Sequence, residues 1–277
     1  MVSAREKMNE TAKTLASAGV FDPAFEAREI IREYAGASAV MGGELAPEQV
    51  RSINVAVSRR VTGEPLQYIF GKWEFYGYPF YVGEGVLIPR PETELLVDIA
   101  VGRLKKGSTA LDLCSGTGCI PISVSLKTGA QCYAVELYGA AFSYLTRNIG
   151  LNGANVTAVQ ADARDGTLFP GVMFDMIISN PPYLTGTEMK SLMREVTHEP
   201  ESALYGGEDG LDFYRAIIPA WAGRLKANGA MAVETGETQG AAVSEIMKKA
   251  GLTPETVKDY SGLDRVVIGT AGSGCSA

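Results

Sequence analysis

From residue 108 onward this chain alternates short apolar runs with stretches of helical spacing, and that alternation limits its fold more than any other feature. The runs fall at 110–113, 131–135, 156–160, 173–179, 229–234 and 265–268. Each has the length of a strand, and the run ending at Ser179 reads as fully buried. Strands separated by helices build an open, mostly parallel, doubly wound sheet, a Rossmann-like α/β fold. Such sheets bind ligands beyond the carboxyl ends of their strands. The residues that directly follow each run are therefore where chemistry is expected.

The chain before residue 70 has a different character. Residues 4–62 read as helical, with apolar side chains at 25, 30, 31 and 34 close to helical spacing. A further helix is expected over 47–61, where Pro47 suits a first turn and Gly63 follows the end. Residues 1–70 are thus expected to form a small helical bundle with a role in recognition. Residues 71–90 interleave aromatics (Trp73, Phe75, Tyr76, Tyr78, Phe80, Tyr81) with glycines, the pattern of a β-hairpin linker. A helix is expected over about 92–103, opening an α/β domain over 91–271, and 272–277 reads as a frayed tail.

Composition removes several function classes. The net charge is −7 and the pI near 5.0, which argues against binding nucleic acid through phosphate neutralisation. With one histidine, His198, and no C-x-x-C pair among Cys114, Cys119, Cys132 and Cys275, neither a zinc site nor a Ser-His-Asp hydrolase is expected. The first three cysteines read as small buried residues beside the sheet. The first residues carry no apolar signal core and no run reaches transmembrane length, so a cytoplasmic protein without membrane contact is expected.

Four features mark the strand ends. The first run leads into Cys114-Ser115-Gly116-Thr117-Gly118, where the glycines permit a tight turn and the following helix aims its first amides at a ligand. By itself such a turn suits a dinucleotide enzyme, a methyltransferase or a plain tight turn. Position 121 is Pro, so the full G-x-G-x-x-G spacing is absent, and no P-loop sequence occurs. The second run ends in Glu136, placed about 20 residues after the glycines, as an acid that bonds ribose hydroxyls would be. The third is followed by Asp162-Ala163; Asp162 reads either as an acceptor for an adenine amino group or as a helix N-cap.

The fourth run delivers Asn180-Pro181-Pro182-Tyr183. The Asn side-chain oxygen and the Pro carbonyls accept hydrogen bonds, the prolines donate none, and the Tyr ring offers a flat wall. That set suits a planar group bearing an NH₂, held for attack on an electrophile. The Asn180 oxygen and the Pro181 carbonyl would take the two amide protons, and Tyr183 would pack on the plane.

With these residues the chain resembles the release-factor glutamine methyltransferase family (HemK-like), within the S-adenosylmethionine-dependent class I methyltransferases. The resemblance extends to Gly63-Glu64-Pro65-Leu66-Gln67-Tyr68-Ile69 with Glu74-Phe75-Tyr76-Gly77, and to Ile88-Pro89-Arg90-Pro91-Glu92-Thr93-Glu94. It also includes Glu199-Pro200, Ala203-Leu204, Gly206-Gly207, Asp209-Gly210-Leu211 and Tyr214-Arg215. It implies S-adenosyl-L-methionine as cofactor, with S-adenosyl-L-homocysteine as product. It implies cofactor contacts at Cys114, Ser115, Gly116, Thr117, Gly118, Glu136, Asp162, Ala163 and Asn180. Asn180, Pro181, Pro182 and Tyr183 would hold the glutamine of the Gly-Gly-Gln loop of class 1 peptide-chain release factors, so the chain would support translation termination. A monomer with no direct nucleic-acid contact is expected. The sequence departs from the family in Cys114-Ser115, where a glycine-containing pair is usual, in Glu136 for Asp, and in Ala163, where some members carry an aromatic.

The rival readings are an amino-methyltransferase acting on a flipped-out nucleic-acid base, and a binding protein that keeps the fold without catalysis. Arg90 and Glu92 read as ordering the domain junction or a substrate loop, or as a structural ion pair. Glu199 reads as a cap or a substrate contact.

Overall fold

The computed structural model describes residues 2–274; positions 275–277 of the expected tail, with Cys275, lie outside the described residues. The chain divides into two compact units, residues 1–71 with 193–198, and residues 72–192 with 199–277.

In the first unit, β1 (Val2–Ser3) pairs with β2 (Glu44–Leu45) beside α1 (Ala4–Ser17), α2 (Pro23–Ala35), α3 (Ala37–Val40), α4 (Pro47–Arg60) and α5 (Leu66–Phe70). The start of α2 follows from its sequence: Asp22 accepts from the Phe25 N–H at 3.1 Å and Pro23 occupies the first turn. Gln49 reaches back to the Ala46 N–H at 2.9 Å at the start of α4. Leu15, Ile30, Ile31 and Ile53 are fully buried between the helices. The Arg60 guanidinium, 3% exposed, is matched by two carboxylates, Glu26 at 2.6 Å and Glu195 at 2.6 Å. A buried cation needs such partners. Glu195 belongs to the 193–198 segment, which packs with the first unit although it falls within the 91–271 stretch expected as the α/β domain.

The second unit opens with the hairpin β3 (Lys72–Phe75) and β4 (Tyr78–Tyr81). Its two-residue turn, Tyr76-Gly77, has both φ positive, at 55° and 77°, as a tight primed turn requires. After a 3₁₀ turn at Pro91–Thr93 come α6 (Glu94–Arg103), β5 (Thr109–Leu113), α7 (Cys119–Thr128), β6 (Gln131–Glu136), α8 (Gly139–Asn152), β7 (Val156–Gln160) and β8 (Phe174–Ser179). Then follow α9 (Asp212–Ala222), β9 (Leu225–Glu234), α10 (Gly240–Lys249), β10 (Thr253–Lys258) and β11 (Asp264–Thr270). The seven-stranded sheet has the order β10-β11-β9-β8-β5-β6-β7. The five strands from β9 to β7 are parallel, and β11 runs antiparallel between β9 and β10. The fold class is the one expected from the sequence. Helices α6 and α7 cover one face, and α9 and α10 the other.

Two elements escape the apolar pattern. β10 reads Thr-Pro-Glu-Thr-Val-Lys and is half solvent-facing. It is an edge strand, where Pro254 and charge are tolerated. β9 begins at Leu225, before the expected 229, because Asn228 (φ 59°) and Gly229 kink the strand without ending it, and its register with β8 shifts there. A Cβ at Gly229 would sit 2.8 Å from the Lys226 carbonyl.

One side chain ties the hairpin to the glycine turn. Asn148 of α8 is fully buried. It accepts from the Tyr81 N–H at 2.7 Å and donates to the carbonyls of Tyr81 at 3.0 Å and Thr117 at 2.9 Å. Asn148→Ala would strand three backbone groups. At roughly 1–3 kcal/mol for each buried unpaired group, the variant is expected to lose about 3 kcal/mol or more in a urea unfolding titration.

Candidate active site

The turn after β5 is shaped by its backbone. Cys114 (φ 61°), Gly116 (φ 53°) and Gly118 (φ 80°) all lie in the left-handed region. Cys114 bears a side chain where that conformation is unfavourable. Gly118 caps α7, and a Cβ there would meet Leu145 Cδ1 at 2.5 Å. Glu136, at the end of the neighbouring β6, holds the turn. Its Oε2 accepts from the Gly116 N–H at 2.8 Å and its Oε1 from the Tyr138 N–H at 2.8 Å. Burial pushes the Glu136 carboxyl up, and these backbone donors oppose that shift.

A cavity lies beyond the carboxyl ends of β5, β6, β7 and β8. It is lined by Cys114, Ser115, Gly116, Thr117, Glu136, Asp162, Ala163, Asn180 and Pro182 among the residues singled out in the sequence. Gly118, Pro181 and Tyr183 are not in its lining. Gly118 acts through the backbone. Tyr183 turns toward the core under α9, and its carbonyl accepts from Gln239 Nε2 at 2.9 Å. The loop of residues 206–210 presses on this segment: a Cβ at Gly206 would lie 2.6 Å from the Pro182 carbonyl and 2.7 Å from Tyr183 Cα. That close approach is why glycine stands there.

The lining also includes Leu137, Tyr138, Thr93 and Phe213, which no strand-end motif marks. Leu137 and Tyr138 are 41% and 47% exposed and flank the same cavity as Ala163, which has no ring of its own. Ala163 is held in place from below, where the fully buried Trp221 donates its Nε1–H to the Ala163 carbonyl at 2.7 Å. Asp162 accepts from the Arg164 backbone N–H at 2.9 Å and pairs with its guanidinium at 2.6 Å. That guanidinium holds its carboxyl below the usual range. Arg90 pairs with Glu199, whose other oxygen accepts from the Ile88 N–H at 2.9 Å. Glu199 is therefore a buried brace for the cavity wall. Glu92 instead stands near the buried Glu234 and Tyr183.

Asn180 donates from Nδ2 to Thr93 Oγ1 at 3.1 Å, which leaves its Oδ1 as the acceptor. The two lining cations, Arg90 and Arg164, are both neutralised by partners. The Gly116 amide is already committed to Glu136. Among the described residues the cavity therefore offers carboxylates and a turn of glycines, with no unpaired cation for a pyrophosphate. Such a donor set fits a ribose and a cationic ligand.

Asp112, inside β5, is 1% exposed, and among the described residues neither of its carboxyl oxygens has a partner of hydrogen-bonding geometry. Burial and then the Glu136 charge push it up to about 8. The folded protein thus keeps a proton that the unfolded chain gives up near pH 4. Its stability should fall as pH rises from about 4 to 8. Thermal unfolding of the unliganded protein is expected to show this decline, and Asp112→Asn to flatten it.

The family model described as PrmC N-terminal domain matches residues 6–71, and that described as Methyltransferase small domain matches residues 91–211. A release factor glutamine methyltransferase from Thermodesulfovibrio yellowstonii is 40% identical over 81% of this chain and 83% of its own length. One from Moorella thermoacetica is 34% identical over 95% of this chain and 97% of its own. Among solved structures, a methyltransferase from Pyrococcus furiosus shares the fold, with a TM-score of 0.56 at 19% identity over 80% of this chain and 98% of that one.

Proposed function

The chain belongs to the release factor glutamine methyltransferase family, and from this membership we propose how its cavity carries the reaction. It is an S-adenosylmethionine-dependent enzyme that methylates the side-chain amide nitrogen of a glutamine in peptide-chain release factors. We place that glutamine in the Gly-Gly-Gln loop of class 1 factors. The observation that carries the site assignment is that one cavity joins Glu136, Asp162 and the glycine turn to Asn180.

The cofactor fits this cavity on its chemistry. Glu136 keeps lone pairs beyond its two backbone bonds and would accept from the ribose hydroxyls. Asp162-Ala163 and the flanking Leu137 and Tyr138 would hold the adenine. The lining cations Arg90 and Arg164 are both paired with carboxylates, which suits a positively charged ligand. When bound, S-adenosylmethionine supplies an electrophilic methyl group on sulfur.

The acceptor is an amide, whose nitrogen lone pair is shared with its carbonyl. The protein compensates by position and by field. Asn180 Oδ1 would accept a hydrogen bond from one amide N–H and the Pro181 carbonyl, from just behind the cavity lining, a hydrogen bond from the other; the nitrogen loses one of these protons to water once it carries the methyl group. Two fixed acceptors favour positive charge as it grows on the nitrogen. Holding the nitrogen in line supplies much of the remaining acceleration. Tyr183 and the glycine loop over 206–210 keep the Pro181-Pro182 backbone in place.

The deciding experiment uses methyl-labelled cofactor with a class 1 release factor, either native or carrying Gln→Ala in its Gly-Gly-Gln loop. Label is expected on the native factor alone. Label entering RNA or DNA instead would favour a base amine as the acceptor. In the same assay Asn180→Ala is expected to lower the transfer rate about 100-fold or more, as loss of one such acceptor does elsewhere, while cofactor affinity changes little. Glu136→Ala should show the reverse order of effects. Calorimetric titration is expected to give cofactor binding weaker by about tenfold or more, the loss of one charge-assisted hydrogen bond.

A further inference from the structure

Glu234 is the last residue of β9 and lies next to Asn180 across the parallel pair, since Ser179 is in register with Val233. It is 2% exposed and does not line the cavity. Its backbone carbonyl is fixed by the Tyr214 hydroxyl at 2.8 Å. Thr93 and Tyr183 are the hydroxyls that stabilise its charge, yet among the described residues neither is in hydrogen-bonding geometry with the carboxyl, and Oε2 has no partner. A buried acid left in that state needs a reason.

The donor and acceptor count supplies one. Thr93, 3% exposed, accepts from Asn180 Nδ2 at 3.1 Å, so its own single proton must go elsewhere. An ionised carboxyl can only accept. Resting on the methyl-transfer reading above, we infer that Glu234 is a positioning residue for that reaction: it takes the Thr93 proton, Thr93 takes an Asn180 amide proton, and Asn180 is thereby held with Oδ1 toward the acceptor glutamine. The directions of the chain are set by its acidic end. A protonated Glu234 donates to Thr93, Thr93 can then donate to Asn180 Oδ1, and the Asn180 amide turns its NH₂ toward the substrate NH₂. Two donors then face each other.

Glu234 is poised to titrate. Burial, and after it the Glu92 charge, push its carboxyl up to about 7, opposed by Thr93, Arg265 and Tyr183. The other titratable groups that feel its charge are Cys119 on α7 and Tyr214 on α9, both pushed up mainly by burial. Arg265 is held by Asp259 at 3.0 Å, so its charge is shared and does not fully neutralise Glu234. The sign follows from the raised acid: the chain is set correctly above its midpoint and lost as pH falls through it. A bound cationic cofactor moves the midpoint downward.

The test combines rate and spectroscopy. At saturating cofactor and release factor, kcat of the unmodified enzyme is expected to fall about tenfold per pH unit below a midpoint at or under 7. Glu234→Gln should lower the plateau kcat about tenfold or more, leave KM for the cofactor within about twofold, and abolish the acid limb. Thr93→Val should behave in the same way, and Thr93→Ser should restore both rate and limb. In the unliganded protein, the ¹⁵N resonance of the Asn180 side-chain amide should titrate near pH 7, and should not do so in Glu234→Gln. An unchanged acid limb in Glu234→Gln overturns the inference, as does a pH-independent Asn180 amide in the unmodified protein. If Glu234→Gln does not fold, the Thr93 pair decides: equal rates and limbs in Val and Ser overturn it. A titrating Asn180 amide in a protein that transfers no methyl to the release factor at any pH supports the hydrogen-bond chain and overturns only the methyl-transfer reading.

Discussion

The contact on which the site depends is the Glu136 carboxylate across two strand ends. It accepts from Gly116 in the turn after β5 and from Tyr138 after β6. The turn itself takes three left-handed residues within five positions, one of them the non-glycine Cys114. Such a loop is not stable alone. Its conformation is held from one side by Glu136 and from below by Asn148, which accepts at Tyr81 and donates to Thr117. The hairpin over 72–81 therefore does more than connect: through Asn148 it braces the floor of the cavity.

A second constraint is electrostatic. Asp112, Glu136 and Glu234 are all buried near the carboxyl ends of central strands, and burial raises each of them. Gathering acids in a low-dielectric place costs stability. Such a gathering of acids favours a positively charged ligand in the adjoining cavity. It also separates roles. Glu136 lines the cavity, whereas Glu234 lies behind it, next to Asn180 across the β8–β9 pair.

Much of this was legible residue by residue. The glycine turn, Glu136, Asp162-Ala163 and Asn180 each follow an apolar run, and period and strand length are local properties that a sequence displays. β10 was not legible, because an edge strand buries little and its residues read as a polar loop. Thr93 and Glu234 were not legible as partners of Asn180. They lie 87 and 54 positions away in the chain, and only the register of β8 with β9 and the 3₁₀ turn before α6 bring the three together.

The sequence by itself determined the doubly wound sheet, the helical first unit, the family and the strand ends that come to line one cavity, because these rest on periodicity and on short motifs whose residues are neighbours. Only the tertiary structure decided that Tyr183 turns away from the cavity, that residues 193–198 join the helical unit, and which way the Asn180 amide faces. Those are set by burial and by the pairing of donors with acceptors between distant segments, and no local pattern records such pairings.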